Sequence, residues 1–471
     1  MTPRPSIFQL LTEIPGPIGS GGRIRSYHFV RALAAAADLS VGLLIEQGQD
    51  TVPQDLANQC HVVLQPPAGF RQRVPPATGL LGGGRRALSV LATPWSQGGK
   101  RLMIAGAGNC VLRSENRTMQ RRGALHALYA ALLHAEVSLC RHLFPVFPTE
   151  ALLHIEEFEA ILPEIVQHGK EREPEVVWCE HSYLYPLAAR VQRLFPKARL
   201  VCNAHNVESK LQERNAQLMK SPRAQQWLRM ESAILKAWEK KMLSAADLVF
   251  CCSEADARLL HEVAPRGKAR IEVVPNGVDT EHFQPGSRAS TDPTLLFSGS
   301  AGYGPNDDAV AWLAKDILPL IRRAVSGCRL CLAGSKAAIH WGRFADGDPM
   351  IEVASDAPDM RPWFAKASVC LVPLRSGGGT RLKVLEAMSM GRAVVSTSIG
   401  AEGIEALPDL HLLIADTPES FARAVIELLQ NEHKREAIAR AARALVCNRY
   451  DWNILMPRAM GLLAEVCWPQ I

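Results

Sequence analysis

Along the chain, short runs of consecutive Val, Ile, Leu and Cys alternate with longer stretches in which apolar residues recur every three or four positions. Apolar runs without alternation suit strands buried on both faces, and the three-to-four recurrence suits helices. Together they predict a parallel-sheet α/β architecture. Strands are predicted over 6–11, 39–45, 61–64, 176–179, 198–204, 247–252 and 271–274 in the first half. The second half predicts them over 294–298, 328–333, 351–354, 367–373, 393–397 and 411–415. A charged amphipathic helix is expected over 225–243, and another closes the sequence over 452–466. Pro285, Gly286, Ser287, Ser290 and Pro293 interrupt all periodicity, which places a boundary there. The reading is therefore two domains, 1–285 and 286–451, with 452–471 as a helix returning to the first. Residues 66–122, rich in Gly and Pro, read as an insertion into the first domain.

Composition adds limits to this picture. With 47% hydrophobic and 21% charged residues, the chain has the balance of a soluble globular protein of 471 residues, enough for two cores. The most apolar long stretch, 124–144, carries His126, His134, Glu136 and Arg141, so it reads as an amphipathic helix and not a membrane span. Pro3, Pro5 and Glu13 break any signal-peptide pattern, and a cytoplasmic location is expected. Cysteines such as Cys202, Cys251 and Cys370 sit inside apolar runs, as small hydrophobes do in a reducing compartment. Cys328 and Cys331 form a lone C-x-x-C with no second pair, so no zinc or redox site is expected.

The net charge of +6 is unevenly distributed. From Phe70 to Arg122 the one acidic residue is Glu115, against cations such as Arg71, Arg85, Arg86, Lys100, Arg101, Arg121 and Arg122. Two readings stand: a segment facing an anionic membrane surface or phosphorylated acceptor, or a solvated insertion. No nucleic-acid-binding signature accompanies it, and no nucleic-acid partner is expected.

The sharpest chemistry lies at Ser376-Gly377-Gly378-Gly379-Thr380-Arg381-Leu382-Lys383-Val384-Leu385-Glu386, directly after a predicted strand. A Gly-rich turn opening a helix offers backbone N–H groups and a positive dipole end to an anion. Thr380, Lys383 and Glu386, spaced by three, are expected on one helix face. A hydroxyl, a cation and a carboxylate together suit a ligand with both a diphosphate and a ribose. In the first half, Gly19-Ser20-Gly21-Gly22-Arg23-Ile24-Arg25 follows the first strand, and Gly21, Gly22 and Arg25 are candidate contacts. His205 follows another strand end and is the candidate catalytic side chain, with Glu180 and His181 in the equivalent place one strand earlier. A strand-end histidine also fits a purely structural bond. Asp346-Gly347-Asp348 spells a metal-binding D-x-D but lies in a polar loop away from the Gly-rich turn, so it reads as a solvent loop.

These features resemble the family 4 glycosyltransferases, which have the GT-B fold. The resemblance rests on Val274-Pro275-Asn276-Gly277-Val278-Asp279 as the interdomain junction, Phe297-Ser298-Gly299-Ser300 as the start of the donor domain, and 373–397 as the donor-binding core. It implies two Rossmann-like domains facing across a cleft and transfer of a sugar from a nucleoside-diphosphate sugar with retention of configuration. It implies no cofactor and no metal. Glu386 corresponds to the second glutamate of the family's E-x7-E motif, which holds the donor ribose. The first falls at Gly378, where amides of Gly378 and Gly379 are the substitute. The Arg-x4-Lys pair is absent, since 300–306 holds no cation; Arg381 and Lys383 are the replacements. Asn276 joins the donor-binding candidates by its place in the junction. The implied partners are a nucleotide sugar and a sugar, lipid-linked or small-molecule acceptor, with glycoconjugate synthesis as the setting. A nucleotide-sugar epimerase of the same fold and a non-catalytic binding protein remain as alternatives.

Overall fold

The computed structural model describes residues 4–17, 19–45, 54–66, 148–219, 221–286, 292–377 and 380–469. The basic segment 70–122 and the predicted helix 124–144 lie outside these, as do Gly378 and Gly379. Two sheets make up the core, and every pairing in both is parallel. The first has the order β3-β2-β1-β4-β5-β6-β7. Its strands are β1 (Ser6–Leu11), β2 (Asp38–Leu43), β3 (Val62–Leu64), β4 (Val176–Glu180), β5 (Arg199–Asn203), β6 (Leu248–Cys251) and β7 (Arg270–Val273). The second, ordered β10-β9-β8-β11-β12-β13, holds β8 (Thr294–Ser298), β9 (Arg329–Gly334), β10 (Ile351–Ser355), β11 (Val369–Val372), β12 (Ala393–Ser396) and β13 (Leu413–Ile414). Register is continuous from Gln9↔Trp178 to Cys179↔Cys202 across the middle of the first sheet.

The central strands are apolar on both faces because helices cover both. In the first domain Phe8, Leu10, Val177 and Leu200 pack under one helix layer, while Ile7, Trp178, Val201 and Phe250 pack under the other. The second domain has one continuous core built on Leu296, Phe297, Leu332 and Leu371. The helix Trp452–Cys467 inserts Trp452, Leu455, Ala459 and Leu463 into the first domain's core, although it follows the second domain in sequence. Val278 bridges to Asp451, so both chain crossings between the domains lie side by side. Among the described residues no helix is long and apolar enough to cross a membrane.

In each sheet the strand order reverses next to the first strand, between β1 and β4 and between β8 and β11. Open parallel sheets bind ligands at such switch points, outside the carboxyl ends of the strands. The Gly-rich turns after β1 and β11 stand at these two places.

Candidate functional site

The helix Leu382–Ser389 supplies the second domain's side of the cleft. It begins at Leu382, because Arg381 is its cap in extended backbone (φ −83°, ψ 98°). Thr380 therefore precedes the helix and does not share the Lys383–Glu386 face, contrary to the spacing argument. Its hydroxyl instead donates to the carbonyl of Cys252 at 3.4 Å, across the cleft in the first domain. Arg381 is buried, with Nη2 donating to the Ile399 carbonyl at 3.4 Å, and burial works against its charge.

Lys383 and Glu386 are half-buried one turn apart. Lys383 Nζ donates to Asn306 Oδ1 at 2.8 Å and lies 4.3 Å from the centre of the Phe297 ring. Asn306 in turn donates to the Ser300 carbonyl at 2.9 Å. The loop after β8, which holds no cation of its own, thus receives one from the facing helix. Burial pulls the Lys383 ammonium down to about 7, with the Arg381 charge acting the same way and Glu386 opposing. Burial raises the Glu386 carboxyl to about 7 against the Lys383 charge. Such groups are poised for a ligand that restores their charge.

The first domain contributes the helix Gly21–Ala36, capped by Ser20, whose hydroxyl accepts from the Arg23 N–H at 3.1 Å. A methyl group on Gly21 would lie 3.5 Å from Leu382 Cδ1, so the amino ends of these two helices face each other. A methyl group on Gly22 would lie 2.9 Å from Glu13 Oε1 and 3.2 Å from His205 Nδ1. His205 is buried, and its Nε2 lies 2.7 Å from Glu180 Oε1. Glu180 also accepts from Gln9, Ser26, Trp178 and Asn203. Burial alone would raise the Glu180 carboxyl, but His205, His181 and the Trp178 N–H hold it below the usual carboxylate range. Burial disfavours the charged form of the His205 ring, while Glu180 favours it. His181 stacks on His205 with ring centroids 3.8 Å apart and keeps φ at 68°, a strained value for a non-glycine residue. Its Nε2 lies 3.9 Å from Glu13, whose carboxyl burial and the Glu180 charge raise to about 7.

One sequence candidate is placed elsewhere. Arg25 is wholly buried beneath the cleft, donating to Asn203, Val274 and Asn276, and so offers no cation to a ligand. Asn276 accepts from Arg25 Nη1 at the interdomain junction, with Cys252 Sγ 3.8 Å from the same Oδ1. Asp348 accepts from Arg322 at 2.5 Å and from the Met350 N–H at 3.0 Å, at the amino end of β10. The D-x-D therefore sits on the edge of the sheet opposite the cleft. The sequence reading passed over Glu13, Asn306 and Arg214. Arg214 pairs with Glu402 across the cleft through two bonds of 3.0 and 3.1 Å and donates to the Gly377 carbonyl at 3.4 Å.

Known proteins resemble this chain in sequence and in fold. Residues 119–282 match the family described as Glycosyltransferase Family 4, and residues 292–431 match Glycosyl transferases group 1. The D-inositol 3-phosphate glycosyltransferase of Segniliparus rotundus is 23% identical over 417 residues, covering 80% of this chain and 87% of that protein. An uncharacterized 44.6 kDa protein in the cps region of Klebsiella pneumoniae is 26% identical over 167 residues; that match takes in 33% of this chain and spans only 42% of the relative. Among solved structures, the sucrose-phosphate synthase of Thermosynechococcus elongatus superposes with a TM-score of 0.64 at 14% identity, covering 98% of this chain and 99% of that one. Anabaena HepE in complex with UDP gives 0.59 at 11% identity, covering 98% and 100%. Two parallel sheets facing across a cleft, with these neighbours, define the GT-B fold. The chain belongs to the family 4 glycosyltransferases.

Proposed function

We propose that this glycosyltransferase moves a sugar from a nucleoside-diphosphate sugar, held by the second domain, to a hydroxyl of an acceptor held by the first. The observation that carries this reading is the half-buried Lys383–Glu386 face at the carboxyl edge of β8 and β11, opposite Gly22 and His205. Glu386 accepts from the ribose hydroxyls. Lys383, the Gly377–Gly379 turn and the N-terminus of the helix Leu382–Ser389 stabilise the charge that develops on the departing diphosphate. The bond from the anomeric carbon to the diphosphate breaks, the acceptor oxygen forms the new bond, and its proton leaves with the diphosphate. His205, with Glu180 behind it, accepts from a sugar hydroxyl. Family membership supports retention of configuration and independence from metal. The HepE complexes, with UDP and with UDP-glucose, support a uridine donor, and the Segniliparus relative supports a polyhydroxylated acceptor. We place the reaction in cell-surface glycan or glycoconjugate synthesis on the cytoplasmic side, where the basic segment 70–122 would dock on an anionic membrane.

Calorimetry with UDP, GDP and ADP, followed by product analysis with the matching sugar nucleotide, tests the core of this. At least one diphosphate should bind, and Glu386→Gln should weaken it about tenfold to a hundredfold, the worth of one or two hydrogen bonds to a charged group. Binding of none, or an unchanged affinity in a folded Glu386→Gln, overturns the assignment. Activity that disappears in EDTA and returns with manganese would overturn metal independence. Co-sedimentation with anionic but not neutral vesicles, lost at high salt, checks the membrane contact.

A further inference from the structure

Arg25 has one of the largest fully buried side chains among the described residues, none of whose carboxylates forms a salt bridge or hydrogen bond with it. Its Nε donates to Asn203 Oδ1 at 2.9 Å, and its Nη1 donates to the Val274 carbonyl at 2.7 Å and to Asn276 Oδ1 at 3.3 Å. Its Nη2 has no hydrogen-bond partner. A buried cation so incompletely paired is costly, and an apolar side chain of similar volume would serve packing better. Its place in the donor–acceptor order of the site supplies a reason for it.

Arginine can only donate, so it fixes the Asn203 amide with Oδ1 toward itself. That leaves Asn203 Nδ2 to donate to Glu180 Oε1 at 2.8 Å. The ionised Glu180 can only accept, so the His205 nitrogen 2.7 Å from it must carry the proton. His205 Nδ1 is then the bare nitrogen; it lies beside Gly22 with no partner of its own. At the other end, Val274 and Asn276 belong to the junction where the two chain crossings meet.

We propose that Arg25 is a positioning residue that ties the interdomain junction to His205 and, through Asn203 and Glu180, holds its ring as the Nε2–H tautomer with Nδ1 turned to the cleft. The proposal rests on the reading of the cleft as the transfer site. The charged and titratable groups facing the His205 ring are Glu180, His181, Arg25 and, across Gly22, Glu13, so the chain from Arg25 supplies the order among them.

Nitrogen NMR of the full chain carrying 15N-labelled histidine reads the tautomer directly, and UDP calorimetry reads the donor side independently. In the wild type His205 should show one form, protonated at Nε2, across neutral pH. Without that fixed donor Asn203 can turn its Oδ1 toward Glu180, which favours a protonated Glu180 that donates to His205 Nε2, so Arg25→Gln should raise the Nδ1–H form about tenfold or more. Its UDP affinity should stay within about threefold of wild type. An unchanged His205 spectrum in Arg25→Gln overturns the proposal. So does a joint loss of UDP binding, which would make Arg25 a support of the fold alone. Should Arg25→Gln fail to fold, the wild-type spectrum decides: an Nδ1–H or doubly protonated His205 at neutral pH overturns it. Absence of UDP binding in the wild type with the expected tautomer would strike the uridine-donor reading and leave the arrangement around Arg25 standing.

Discussion

Gly22 is the residue on which the first domain's half of the site turns. Glu13 in front of it can swing aside, but the buried His205 is held by Glu180, so a methyl group 3.2 Å from its Nδ1 occupies the space a substrate group would need. Gly22→Ala should therefore cut transfer by roughly 10²-fold, as small misplacements at a reacting centre do, with little change in Tm. Steady-state kinetics beside a melting curve would show it; wild-type turnover would remove Gly22 and His205 from the site. Lys383 gives a second residue-scale expectation. Burial has lowered its ammonium to about 7, and a bound diphosphate favours the charged form and raises it again. Binding then takes up a proton, so affinity falls as pH rises above the free-state value. In Glu386→Gln, where the neighbouring carboxylate no longer titrates in the opposite sense, UDP affinity measured from pH 7.5 to 9 should fall by up to about tenfold per unit. A flat profile would mean that Lys383 does not meet the diphosphate.

At the scale of elements, the strands were legible because burial on both faces leaves a continuous apolar run too short for a helix and bounded by turn residues. Val369–Val372 and Ala393–Ser396 fall inside their predicted ranges for this reason. The helix start at Leu382 was not legible, since three consecutive glycines set no periodicity from which to count the first turn. Arg25 was misplaced for another reason. Its charge drew attention to the cleft, yet it stands four residues before Phe29, on the stripe that packs into the core, and its guanidinium lies 4.9 Å from that ring. That spacing was a signal available in the sequence. Glu13 and Arg214 carried no local motif, because their partners come from distant parts of the chain. The junction Val274–Thr280 yields an element-scale test. A methyl group on Gly277 would meet the Trp452 ring at 2.8 Å and the Tyr450 carbonyl at 2.8 Å. Backbone cannot yield as a flexible side chain can, so Gly277→Ala should destabilise the chain by about 1–3 kcal/mol, read as a lowered denaturation midpoint. An unchanged midpoint would show that the crossing helix is loosely seated.

Taken whole, the molecule rests with its domains in contact through Arg214–Glu402, Arg214 on the Gly377 carbonyl, and Thr380 on Cys252. The ion pair is partly exposed, and such pairs are worth at most about 1 kcal/mol, so it biases closure without locking it. Glu402→Arg should shift the open population by no more than roughly fivefold, visible as a larger radius of gyration by X-ray scattering. Adding Arg214→Glu should bring it back. Equal scattering from all three proteins would show that other contacts set the resting state.

The seating of Trp452, Leu455 and Leu463 in the first domain's core bears on how the protein is made. The ribosome completes the last strand of that domain's sheet at Val273, yet a piece of its hydrophobic interior is not translated until 452–467. At roughly 5–20 residues per second, the nascent first domain waits about 10–40 s with that apolar groove open. During that interval it is a client for chaperones, and a truncated product ending before Trp452 would carry the groove permanently.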